Sequence, residues 1–488
     1  MKILKKTIFL SVLILCIIPI SKVQASEKKE GIENFPSSYR GYLEEIQKRH
    51  PNWKFTALYT NLDWNYTISQ ENQFGKNLVP KNYGDAWKNT TPGQYNVEVD
   101  KGWVDCSRSA VEYSMDPRNF LNEARIFQFE TLSYDASTNN LNSVDKILYG
   151  TEFYNRKVSY IQENGNTINM NETYAELILK GGQTSKVSPY HLASRIKQEV
   201  GPFLSHSSIS GTVEGFRGLY NFYNIGATSS TEPMGAIKNG LRYARDGKGA
   251  SEATKSKYLI PWNTKEKAIT GGGIFIGSSY INVGQNTIYL QKFDVNDDRN
   301  GTLFTHQYMT NVLAPSSEGK IIYNGYKNSG LLETSMSFTI PVYNNMPEIP
   351  VQSPNINPND FLEDYTKAYC NGNNVNIRTG PSTSYEIITT INRDAKMTRI
   401  AKGISNGERW DKVILENGIV GFIYSTYVSE LPNIQIQKIE LKLDNTTLQK
   451  GETKKLQVTI SPAEASDHKV IYKSSNTNVA TIDDSRKY

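Results

Sequence analysis

Proline placement restricts the architecture of this chain more than any other feature. Between Pro341 and Pro358 the sequence carries five prolines together with several asparagines. Proline removes a backbone donor and biases the residue before it toward extended conformations, so neither a helix nor a central strand is expected through such a run. The segment reads as a semi-extended, exposed linker. It separates two kinds of pattern. From Phe35 to about Tyr343, helical periodicities mix with short strands. Beyond the linker the pattern is all-β. The expected organisation is therefore multidomain. A mixed region spans 36–343, a linker 344–363, a small β module 364–431 and a second β module 436–488.

The N-terminus has its own logic. Lys2, Lys5 and Lys6 precede an almost wholly apolar run from Ile8 to Ile20, and Val23-Gln24-Ala25 supplies a small-x-small site. Residues 1–25 are expected to be a secretory signal peptide. The apolar run of about 13 residues is short for a membrane span. Cys16 follows Leu15 rather than a small residue, which speaks against lipidation. The signal also distorts the charge. The chain is +5, but four lysines and no acids lie in the signal, leaving 50 basic against 49 acidic residues. Net charge therefore gives no argument for a polyanionic partner. Only Cys106 and Cys370 remain, in regions assigned to different modules, so no disulfide or metal-type cysteine spacing is expected.

Local signals place the first helix at Ser38–Arg49, capped by Ser37 or Ser38 and stopped at Pro51. Phe120, Leu121, Ala124 and Phe127 predict a second helical zone over 117–130. The most informative segment is VSPYHLASRIKQEVGPF. Ser188 is a cap, Pro189 suits the first helical position, and Gly201-Pro202 ends the helix. Leu192, Ile196 and Glu199 share one face. A carboxylate at the last turn meets the negative end of the helix dipole and partial burial. Both favour its protonated form, the state needed to donate a proton to a glycosidic oxygen. On spacing alone, an ordinary surface glutamate at a helix end is the favoured reading.

The runs ASRIKQEVG (193–201), LYNFYNIGA (219–227) and GAIKNGLRYA (235–244) together resemble the peptidoglycan N-acetylglucosaminidases of glycoside hydrolase family 73, closest to clostridial-type autolysins. FPSSYRGYL, HPNWKF, MDPRNFLNE and HQYMTN extend the resemblance over roughly 36–343. It implies a mainly α, lysozyme-like α+β catalytic domain with Glu199 as general acid. Asn221 to Gly226 match the family's cleft-lining segment. Glu214, in a Gly-rich loop, and Glu232, before Pro233, are the candidates for a second catalytic group. The substrate's own acetamido group is the alternative. Tyr220, Phe222, Tyr223, Asn224 and Tyr280 are the candidate substrate-binding residues, aromatic faces being suited to pyranose rings. His306 is a further donor candidate. No zinc-type histidine spacing, Cys–His pair, phosphate loop or nucleic-acid motif stands out, and Gly271-Gly272-Gly273 lacks the residues of a P-loop. No cofactor, metal or nucleic acid is expected.

In the C-terminal third, NVNIRTGPSTSYEIITTI with Trp410, Gly421 and Tyr424 resembles bacterial SH3-like domains, implying a small β-barrel that holds a cell-wall ligand. Residues 436–488 resemble a bacterial immunoglobulin-like sandwich, apparently truncated. The expectation is a secreted, wall-associated, monomeric autolysin acting on peptidoglycan glycan strands, with no membrane association after signal cleavage. The rivals are a lytic transglycosylase or muramidase on the same fold, or a non-catalytic wall-binding protein.

Overall fold

The structure is a computed structural model and describes residues 26–296, 302–432, 435–443, 447–463, 465 and 470–482. The signal-peptide assignment, residues 1–25, lies outside the described residues.

The first region is organised around the strand Trp53–Asp63, whose buried and half-buried residues largely alternate. Glu27–Glu30 pairs with it antiparallel and Met336–Asn344 pairs with it parallel. The two ends of the region are thereby stitched into one three-stranded sheet. Pro341 lies inside the edge strand, opposite Leu58, so this part of the Pro-rich run is sheet rather than linker. An edge position tolerates the missing N–H. Trp53, Phe55, Phe127 and Phe338 pack ring against ring on the sheet.

The first helix is Ser37–Arg49, with Pro36 at the cap position rather than a serine. The predicted helix over 117–130 is instead two short 3-10 turns, Pro117–Phe120 and Ile126–Phe129. Side chains interrupt it. Asp116 accepts from the Arg118 N–H at 3.1 Å, and Asn122 Oδ1 accepts from Ala124 and Arg125 at 3.2 and 3.1 Å. Such local bonds compete with the helical ladder. The apolar residues that suggested a helix, Phe120, Leu121 and Phe127, are nevertheless buried.

The helical part that carries the candidate site packs Tyr174–Ser185, Pro189–Val200 and Lys265–Ser279 together. The Gly271-Gly272-Gly273 run is a packing stripe. Added Cβ atoms would meet Tyr258 and Trp262 at Gly271, and the Tyr223 ring at Gly272.

Beyond residue 360 a seven-stranded antiparallel sheet runs from Phe361–Cys370 to Val428–Ser429. The expected Asn406-Gly407 turn joins two of its strands, with both residues at positive φ, 51° and 79°. In the last segment Lys438–Lys442 pairs antiparallel with Gln457–Ser461. Cys106 and Cys370 are buried free thiols. Among the described residues no helix is long and apolar enough to cross a membrane.

The segment expected to be an exposed linker is strapped down. Asp116 and Arg118 form an ion pair with side chains 0% and 1% exposed. Arg118 donates to the carbonyls of Pro347, Glu348 and Ile349 at 2.9, 3.2 and 3.4 Å, and Asp116 accepts from the Val351 N–H at 2.9 Å. Farther on, Ile356 packs against Trp410 and Phe422 of the seven-stranded sheet. That sheet also rests on the first helix. Tyr42 Oη donates to Val420 O at 3.0 Å and accepts from Val420 N at 2.9 Å. Gly41 leaves room for the Asn417 carbonyl, which a Cβ would strike.

Candidate active site

The helix that carries the candidate acid forms as its local signals dictate. It spans Pro189–Val200, starts after Ser188 and stops at Gly201, whose φ is 68°. Leu192 and Ile196 are buried, while the Glu199 side chain is 23% exposed. Glu199 therefore sits at the rim of the packed face, anchored but reachable.

Two side chains hold it. Arg195, one turn earlier, places Nη2 at 3.0 Å from Glu199 Oε1. Asn224 donates from Nδ2 to the Glu199 carbonyl at 2.8 Å and to Oε2 at 3.4 Å. Asn224 reaches both because its backbone adopts φ 51°, a left-handed conformation that asparagine accepts more readily than most residues. Asn221 fixes the turn by donating to Ile225 O at 2.9 Å and Gly240 O at 3.0 Å, and by accepting from Ile225 N at 3.1 Å. Arg195 is a partner of Glu199 that the helix end and the burial of its face do not announce. An i,i+4 pair was readable in ASRIKQEVG.

Arg195 also lies within electrostatic reach of Glu318, on the helix Ala314–Asn328. Burial raises the Glu318 carboxyl above its usual range, against the hydrogen bond from Tyr308 Oη at 2.8 Å and the Arg195 charge. No motif pointed to Glu318, because it joins the group only through the tertiary fold.

The other acidic candidates stand differently. Glu214 is exposed on a lobe with its own small core of Val213, Phe216, Leu219 and Leu241. Glu232 is tied to Arg242 at 2.6 Å and Lys238 at 3.5 Å, and the Arg242 hydrogen bond lowers its carboxyl below the usual range.

The aromatic candidates require correction. Tyr220, Phe222 and Tyr223 are 0%, 0% and 4% exposed, so their rings offer no face to a sugar. Tyr220 Oη exchanges hydrogen bonds with the Ile161 backbone at 2.7 Å, and Tyr223 Oη donates to Ile269 O at 3.2 Å. Their hydroxyls are satisfied by backbone inside the core, where burial pushes both phenols up. Tyr280 is half-buried and stacks on His306 at 4.2 Å, and His306 Nδ1 is 2.7 Å from Gln285 Oε1. A partly open aromatic group that the sequence did not reveal is Tyr243, Tyr258 and Phe275, whose rings meet edge-on at 5.7 and 5.3 Å. Tyr243 stands against Gly226, two residues after Asn224. Among the described residues no group of three or more His, Cys, Asp or Glu could hold a metal ion.

Residues 373–429 match the family described as bacterial SH3 domain, and residues 435–487 match bacterial Ig-like domain (group 2). The chain is 26% identical over 257 residues to the bifunctional autolysins of Staphylococcus aureus strains Mu50 and N315, a match covering 51% of this chain. It spans 18% of the length of those relatives. Among solved structures, the Major Bifunctional Autolysin is 22% identical, covering 60% of this chain and 98% of that one, with a TM-score of 0.39. S. aureus glucosaminidase B is 23% identical, covering 60% and 94%, with a TM-score of 0.40.

Proposed function

We propose that this chain is a peptidoglycan hydrolase, an endo-N-acetylglucosaminidase that cuts the glycan strand with Glu199 as general acid. The observation that carries the reading is the placement of Glu199. It is a partly exposed carboxylate at a helix end, held on both oxygens by Arg195 and Asn224. The two contacts position the carboxyl group, and in the proposed reaction Arg195 gives up Oε1 so that this oxygen can carry the proton to the substrate. The similarity to bifunctional autolysins supports the substrate class.

In the proposed reaction Glu199 gives its proton to the leaving glycosidic oxygen. Water then attacks the anomeric carbon directly or after the substrate's acetamido oxygen has formed an oxazoline. Glu232 is engaged by two cations on its own side of the lobe, and Glu214 faces solvent, so acetamido participation asks least of this arrangement. Tyr280, with the Tyr243, Tyr258 and Phe275 group, offers the sugar-facing surface. Export through the N-terminal signal, wall retention by the SH3-like module and action as a monomer complete the proposal.

The test is mass spectrometry of soluble fragments from purified peptidoglycan after borohydride reduction, using residues 26–488 and its Glu199→Gln variant. Reduced N-acetylglucosamine ends from the wild type are expected, with about 10²- to 10⁴-fold fewer from the variant. Reduced muramic ends would make it a muramidase, and anhydro ends a transglycosylase. Equal activity of the variant would remove Glu199 from the mechanism.

A further inference from the structure

A second feature is built like a binding site and is not part of the Glu199 cluster. A groove of about 520 Å³ opens where the first region, the Pro-rich segment and the seven-stranded sheet meet. Its size lies in the range of small-ligand sites. One wall is a run of edge-on rings, Tyr83 to Trp87 to Tyr113 to Phe120, with centroids 5.8, 5.9 and 5.5 Å apart; Trp87 and Phe120 are buried behind it, and Tyr83 and Tyr113 are the open members. Asn355 of the Pro-rich segment fixes the Trp87 indole by accepting from Nε1 at 2.5 Å.

The opposite wall is the loop 379–386. Arg378 draws it in by donating from Nη1 to the carbonyls of Thr383 and Tyr385 at 3.1 and 2.8 Å. Gly380 allows the Tyr385 ring to lie against the backbone, where a Cβ would collide with it. The N-x-R-x-G-P signature thus shapes this wall. Glu386 at the rim meets Arg125 Nε at 2.9 Å and Lys320 Nζ at 3.3 Å, leaving one cation in excess.

We infer that this groove binds a carboxylate-bearing saccharide fragment, an N-acetylated disaccharide with its peptide stem. The open faces of Tyr83, Tyr113 and Tyr385 suit a sugar ring, the serine, threonine and asparagine side chains around them suit hydroxyl and acetamido groups, and the surplus cation suits the stem carboxylate. The inference rests on the reading that the wall glycan is the polymer this chain meets. The helix Ala314–Asn328 gives Ser316 and Lys320 to the groove, while its Glu318 interacts with Arg195. The groove and the Glu199 cluster therefore flank one helix, roughly 10 Å across. A single polymer could engage both.

The test is hydrogen exchange of the Glu199→Gln chain with a purified disaccharide–tetrapeptide, and with N-acetylchitotetraose as the neutral probe. Protection is expected in peptides covering 83–87 and 379–386, separately from any protection over 195–226. Tyr83→Ala with Tyr385→Ala should weaken binding at the groove about tenfold or more and leave the 195–226 protection intact. Lys320→Glu, at an exposed position, should weaken the disaccharide–tetrapeptide up to about fivefold and leave chitotetraose unchanged. Protection confined to 195–226, or unchanged by all three substitutions, would overturn the groove. The end-group assay above is scored separately, so groove protection without turnover would sink the hydrolase reading alone.

Discussion

Replacing Arg118 by alanine should loosen the attachment of the Pro-rich segment, and its cost can be worked from the contacts. The guanidinium makes two bonds to Asp116, at 2.9 and 2.8 Å, and reaches three carbonyls of residues 347–349. Alanine removes all of them. Asp116 is 0% exposed and would keep only its bonds from the Arg118 and Val351 N–H groups. A buried charge stripped of its partner costs about 3–5 kcal/mol. Domains of 150–250 residues lose about 2–4 °C in Tm per kcal/mol, and the lower figure applies to a body this large, so a fall of about 6–10 °C is expected by scanning calorimetry. Limited proteolysis should show cleavage within 346–352 in the variant and none there in the wild type. Replacing both partners by apolar residues, Asp116→Leu with Arg118→Met, should cost less than Arg118→Ala alone, because no unpaired charge is left. A Tm within about 2 °C of wild type, with the segment still protected, would refute the reasoning that this pair restrains it.

Asn224→Gly keeps a residue suited to φ 51° while deleting the amide that touches Glu199, so kcat should fall about tenfold to a hundredfold with the melting curve little changed. Burial raises the Glu130 carboxyl to about 7, so between its ordinary value of 4.5 and 7 the folded state holds a proton that the unfolded chain releases. Its contribution to stability therefore falls as pH rises through that window, and Glu130→Gln should flatten the slope of urea midpoints measured from pH 5 to pH 8. Gly272→Ala drives a methyl into the Tyr223 ring and should cost about 1–3 kcal/mol by urea titration. Tyr42→Phe leaves the Val420 N–H and C=O without their shared hydroxyl and should cost about 1–3 kcal/mol, read from the same titration.

What the sequence disclosed was local. The Pro189–Val200 helix carries its own start and stop, and the Asn406-Gly407 turn has the residues that positive φ demands. What it hid depends on partners far along the chain. Nothing near Trp53 announces that the strand pairs with Met336–Asn344. Phe120 and Phe127 have helical spacing, yet Asp116 and Asn122 divert the backbone between them. Tyr220 and Tyr223 look like sugar platforms until the glycine stripe of another helix brings a backbone against Tyr223, and the Ile161 backbone takes up the Tyr220 hydroxyl. The Pro-rich segment has the composition of an exposed tether, and the contacts that hold it come from far along the chain: Arg118 and Asp116, Trp87, and the Trp410–Phe422 core.

That clasp changes what kind of device the molecule is. A module on a free tether samples a cloud of positions, and its benefit is an averaged local concentration. Here the strap, the Tyr42–Val420 bonds and the Arg125–Glu386 pair fix the seven-stranded sheet against the first region. The molecule then works as a caliper rather than a leash. On the proposed reading, a wall polymer held by the sheet meets Glu199 at one span and one angle, and cuts along an insoluble strand are then expected at a set distance from each point of attachment.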